Sequence, residues 1–245
     1  MVADEVQLRR AHYENYKKVR SALMQSERAT KYALRTRNSA MAESLKLNQM
    51  MLVSIKAEAR LMKLLYLPNG FTQVDRIAVL DQNSIYESWL RTLDIAFRRR
   101  FKIKQSRSIE HALLHDDLAR YNSLVGVFEK QLRPMIEIRN KLAHGQWARP
   151  LNSDKTAIEP ESCKFIATET SWSLIGRDRA LEGIANIVGD IIQSTALYQS
   201  RFDQHFRSVQ LLTAPRRQTY EDWLAGLRKS HDVGMQRLAK NLQGS

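Results

Sequence analysis

Three residues within one short stretch can do chemistry together. In Glu137-Ile138-Arg139-Asn140-Lys141-Leu142-Ala143-His144-Gly145 the spacing predicts the end of a helix, with Gly145 as the residue that stops it. Asn140 and His144 are four apart and share a helix face. Arg139 is one position away, and its long side chain can swing to that face. His144 falls in the last turn, where the helix dipole favours a cation. An imidazole that gains and loses a proton near neutrality is a general acid–base candidate. A guanidinium offers a fork suited to phosphate oxygens. Cleavage of RNA by its own 2′-hydroxyl needs these parts and no metal: a base, an acid for the leaving 5′-oxygen, and a cation for the phosphorane charge. One His per chain would give a symmetric dimer two histidines in one cleft. The same residues also read as a plain helix C-cap, with Arg139 in an ion pair to Glu137 or Asp116.

Arg-Asn-x3-His ending in Ala-His-Gly at a helix C-terminus resembles the signature of the HEPN-domain family. The resemblance is specific over about 110–146; elsewhere it extends only to class. It implies an all-α bundle and a metal-independent endoribonuclease of toxin, phage-defence or stress type. Arg139, His144 and Asn140 would be catalytic. It further implies a homodimer with a composite active site, and an antitoxin or nucleotidyltransferase-like regulator as partner. The alternative is a catalytically silent HEPN-like protein that binds RNA or a partner chain.

The charge supports a polyanion partner. The chain has 245 residues and a net charge of +13. Residues 1–107 hold 21 Lys+Arg against 10 Asp+Glu, and residues 108–245 hold 18 against 16. Clustered cations release counterions from phosphates. The densest cluster is Arg98, Arg99, Arg100 and Lys102, which with Lys141, Trp147 and Arg149 form the candidate RNA-binding set; Trp147 and Arg149 would stack on or clamp a nucleotide. A solvated helix end is the competing reading of the arginine run.

Other constellations are weaker. His111 and His115 have zinc-like spacing, but no third ligand is obvious. Cys163 is the lone cysteine, which excludes a disulfide framework and a Cys-rich metal site. No Gly-rich phosphate loop or nucleophile elbow occurs. No metal and no cofactor are expected. No apolar run nears the roughly 18 residues of a membrane span, and no signal peptide opens the chain. A reducing, cytoplasmic setting and no membrane partner are the expectations.

The elements that must position the motif are helices. Residues 1–67 contain neither Gly nor Pro, and Asn38-Ser39 marks a break within them. Val6, Tyr13, Tyr16, Val19 and Leu23 form one stripe. Leu45, Leu52, Ala59 and Tyr66, seven apart, suggest a coiled-coil-like seam. Residues 1–67 thus read as a dimerisation or RNA-binding extension of a single domain spanning 1–245. A helix over 83–102 presents Ile85, Trp89, Leu93 and Phe97. Leu114, Leu118, Tyr121, Val125, Phe128 and Leu132 mark the next, which Pro134 must kink or restart. Residues 146–174 read as an irregular insertion with room for a short hairpin at Phe165-Ile166-Ala167-Thr168. One long helix runs from Leu181 to Phe202, stopped near Ala214-Pro215, and then comes a final helix with Trp223, Leu227, Leu238 and Leu242. The fold expected is an all-α, HEPN-like bundle of about six or seven helices.

Overall fold

The first two helices, uninterrupted because they lack Gly and Pro, form an antiparallel hairpin across a three-residue connection. In the computed structural model, which describes residues 4–213 and 219–243, α1 spans Glu5–Arg35 and α2 spans Ser39–Leu65. Asp4 opens α1 through a capping box with Gln7. Asn38 caps α2 by accepting from the Met41 N–H. Asn48 bonds Ser26 at 3.3 Å, and the His12 and Tyr66 rings are 4.6 Å apart, so the two helices pack along their whole length. Of the α1 stripe, Tyr16 and Leu23 are buried while Val6 and Tyr13 are exposed.

α2 is the central helix of the core, not an extension. The coiled-coil-like seam is displaced from the expected positions. Leu45, Leu52, Ala59 and Tyr66 are half-buried, and the core is made by Leu47, Met50, Val53, Ala57, Leu61 and Leu64. α2 needs more than one apolar face, because α1, α6 (Arg133–Ala143) and α8 (Ser171–Gln193) all pack on it. Its pairing with α8 is polar and in register. Gln49 meets Ser171, Lys56 meets Asp178 at 2.7 Å, and Arg60 meets Glu182 at 2.7 Å, each pair 122 residues apart. A constant offset means two parallel helices.

The middle of the chain builds the support for the motif. α3 (Gln73–Leu80) is a short helix that the periodicity does not signal, opened by a Thr72–Asp75 capping box. α4 (Ile85–Phe101) buries Trp89, Leu93 and Phe97 as expected. α5 (His115–Val127) runs into a π-helical turn, Phe128–Leu132, and then into α6. The turn has a cause. Pro134 has no N–H for the Lys130 carbonyl and would clash with it in an α-helix. The backbone widens instead, and the Arg133 N–H donates to Phe128 O. The freed Lys130 carbonyl accepts from Arg177 on α8 at 2.9 Å.

Two expectations in the C-terminal half are corrected. Phe165-Ile166-Ala167-Thr168 is not strand but the end of α7 (Pro160–Thr168). Pro160 starts that helix in its first turn, and burial of Ile166 outweighs β-propensity. A single bridge, Leu151 to Ile158, is all that the insertion keeps of a hairpin among the described residues. The long helix is two, because Ser194 is extended and separates α8 from α9 (Thr195–Thr213). α9 folds back on α8 where Gly183 leaves room; a Cβ there would lie 2.7 Å from Val209. The stop expected at Ala214-Pro215 lies outside the described residues. α10 (Tyr220–Gln243) packs on α1 and stacks Trp223 on Trp172. The described residues thus hold ten α-helices and the π-helical turn, more than expected because the short α3 and α7 carry little periodic signal. No helix among them is long and apolar enough to cross a membrane.

Lys56→Met should test the buried ladder. It leaves Asp178, whose carboxyl burial already holds above its usual range, without its cation. The expected loss is about 3 kcal/mol near neutral pH. Because the native carboxyl then binds its proton more tightly than the unfolded chain does, stability should recover as pH falls toward 5. Urea unfolding at two pH values checks this; an equal loss at both would contradict it.

Candidate functional site

α6 carries the motif, and its position is set by α2. Ser54 Oγ donates to Met135 O at 2.7 Å, and Arg139 Nη2 donates to Glu58 Oε2 at 2.8 Å. Both pairs are 81 residues apart, so α6 also runs parallel to α2 and in register. Met135, Ile136, Ile138 and Leu142 are buried beneath it. Asn140 and His144 remain exposed.

The helix ends as the sequence implies. His144 is the C-cap, and its backbone N–H donates to Asn140 O and Lys141 O. Gly145 comes next at φ 78°, in the left-handed region. Gly145 N–H donates to Leu142 O and Gln146 N–H to Lys141 O, which is a Schellman closure. The imidazole therefore leaves the helix end with its backbone groups already satisfied.

Residues 146–159 wrap this end. The Trp147 indole N–H donates to Leu142 O at 2.8 Å, while the side of the ring remains exposed. Lys141 is drawn under the loop: its ammonium donates to Leu151 O at 2.5 Å and pairs with Glu159 at 2.9 Å. The Ser162 hydroxyl and that ammonium hold the Glu159 carboxyl below its usual range. Arg149 is exposed. Asn140, His144, Trp147 and Arg149 are thus exposed on this segment, while Lys141 braces the loop.

The arginine run at the end of α4 is largely committed to the fold. Arg98 bonds Asp94 at 2.9 Å and the carbonyls of Lys104 and Arg107. Arg99 bonds Gly70 O at 2.6 Å and Asp75 at 3.1 Å. The Arg100 guanidinium lies over the Tyr198 ring at 5.3 Å. Lys102 is the left-handed C-cap and is exposed. Gly70 lies just beyond the C-terminus of α2, toward which α6 also runs. The run and the motif therefore occupy the same end of the bundle.

Glu58 was not visible in the sequence as a site residue. It lies 81 positions from Arg139, and no local spacing links them. The ion pairs to Glu137 or Asp116 are replaced by this one. Arg139 is a quarter exposed and its Nε is buried with no partner among the described residues. His111 lies in the turn before α5 and His115 is the first residue of that helix, so their spacing of four is not on one helical face. Comparison with known proteins adds no relative: no family model, no curated protein and no solved structure matches the chain.

Gly145→Ala isolates the cost of the helix stop. A Cβ there meets nothing within 4 Å, so only backbone strain is added. The expected loss is about 1 kcal/mol, read as a fall in Tm with an unchanged helical far-UV spectrum. No loss would mean that the left-handed turn is not needed.

Proposed function

We propose that the protein is a metal-independent endoribonuclease, acting by attack of the RNA 2′-hydroxyl, as its resemblance to HEPN-domain toxins and defence nucleases implies. The observation that carries this reading is the exposed helix end on which Asn140 and His144 stand, on the same last turns of α6 that carry Arg139. His144 would move the proton at the 2′- or 5′-oxygen. Arg139 would stabilise the phosphorane oxygens. Asn140 would orient the phosphate, and Trp147 with Arg149 would hold the neighbouring nucleotide.

One chain offers one histidine at this end, so acid and base together call for a second copy. A homodimer with two facing helix ends is part of the proposal. RNA is the substrate, and an antitoxin or nucleotidyltransferase-like regulator is the partner that the resemblance suggests.

The second reading is a catalytically silent HEPN-like protein that binds RNA or a partner chain. It is favoured by one observation: the Arg139 guanidinium is already engaged by Glu58. Cleavage requires that this pair yield to a phosphate. The pair is partly exposed, so opening it costs about 1 kcal/mol or less.

The deciding assay is incubation of total RNA in EDTA. Wild type should leave 2′,3′-cyclic phosphate ends, and Arg139→Ala and His144→Ala should each slow cleavage on the order of a hundredfold or more. A His144→Ala variant that cuts like wild type would refute the catalytic assignment. Salt-sensitive RNA binding by wild type without product would select the silent reading.

A further inference from the structure

A second cationic site lies on a different face of α2. At about 100° per residue, Arg60 points roughly 200° away from Glu58. There α2, α8 and α9 enclose an open cleft of about 360 Å³, within the range of small-ligand pockets. Arg60, Lys63, Asn186, Asp190, Arg201 and His205 supply its polar lining. Leu67, Ala185 and Gly189 supply an apolar wall.

The cations in this cleft differ from those of α4. Arg60 is paired with Glu182, but no carboxylate lies within ion-pair distance of Lys63 or Arg201 among the described residues. Lys63 lies 4.4 Å over the Tyr16 ring. Burial, together with the Arg60 and Arg20 guanidinia, holds its ammonium below the usual lysine range, and the Glu182 carboxylate offsets this only in part. An anion placed beside it would relieve that repulsion. The cleft also holds one acceptor in need of a donor. Asp190 Oδ2 is buried with no hydrogen-bond partner among the described residues, and His205 Nε2 is 3.6 Å away. A bare anion would satisfy the cations and leave Asp190 as it is. A ligand that brings both a phosphate and a hydroxyl satisfies both.

We propose that this cleft binds a small hydroxylated phosphate ester, a nucleotide or a sugar phosphate. Lys63 and Arg201 take the phosphate, and Asp190 accepts from a ligand hydroxyl. The site is separate from the Arg139–His144 end and stands whether or not that end cuts RNA.

Calorimetric titration of the full chain with adenosine 5′-monophosphate, ribose 5-phosphate and inorganic phosphate tests this. Both esters should bind more tightly than inorganic phosphate. Tighter binding of the nucleotide identifies a base contact, and equal binding identifies the sugar phosphate; either supports the site. Arg201→Gln, at an exposed position, should weaken every ligand about tenfold, the loss of one charge-assisted bond. Lys63→Gln should do the same, with far-UV spectra confirming the fold. Asp190→Asn should weaken the esters and spare inorganic phosphate. No heat with any ligand at millimolar concentration would overturn the proposal. Affinities unmoved by Arg201→Gln and Lys63→Gln, or binding of a short RNA with neither ester, would also overturn it.

Discussion

The pairing of α2 with α8 is the constraint on which the rest of the molecule depends. Three polar contacts at a constant offset of 122 residues place Lys56 against Asp178 and Arg60 against Glu182 in a mostly buried seam. Buried charges are costly unless paired. A slide of one turn in either direction would keep a carboxylate opposite only one of the two cations, the other meeting Leu174 or Asn186, and would strand Glu182 or Asp178 without its cation, so the observed register is the one that pairs both. The seam also sorts its carboxylates. Burial raises Asp178 and Glu27, whereas Arg60 and Lys56 overcome burial at Glu182 and hold it below its usual range. Everything that rests on α2 inherits this alignment, including α6 through Ser54 and Glu58.

The π-helical turn transmits the same constraint to the motif. A proline at position 134 removes one donor and obstructs one carbonyl, and the chain answers by adding a residue to the turn. An added residue rotates α6 by about 100° relative to α5. That rotation helps set which residues of α6 face α2 and which face solvent. Arg177, from the helix that fixes α2, satisfies the carbonyl that Pro134 leaves free. The entry to α6 and the core register are therefore tied by a single guanidinium.

The basic excess is divided among different tasks. On α4 the arginines hold the chain end together, through Gly70, Lys104 and Arg107 carbonyls and through Asp75 and Asp94. Lys141 braces the loop over the motif. Net charge by itself describes a field and not a site. The cations available to a ligand are those not held in an ion pair; among the described residues Lys63 and Arg201 meet that condition, whereas Arg98 and Arg99 of the densest run do not.

Local pattern was enough for the helical class, the break at Asn38, the buried face of α4, and the stop at Gly145. Each is governed by residues within one or two turns, through capping, periodicity and the left-handed freedom of glycine. The motif Arg139-Asn140-His144 was legible for the same reason. The seam of α2 was not, since a helix with three neighbours has no single apolar stripe and its polar residues Gln49, Lys56 and Arg60 look solvent-facing until α8 is known. The helix over Phe165–Thr168 and the break at Ser194 were decided by packing that outweighs local preference. The Glu58–Arg139 pair and the cleft of Lys63, Asp190 and Arg201 join segments that are 81 to more than 120 residues apart. Sequence spacing carries no information on such distances; the register of packed helices does.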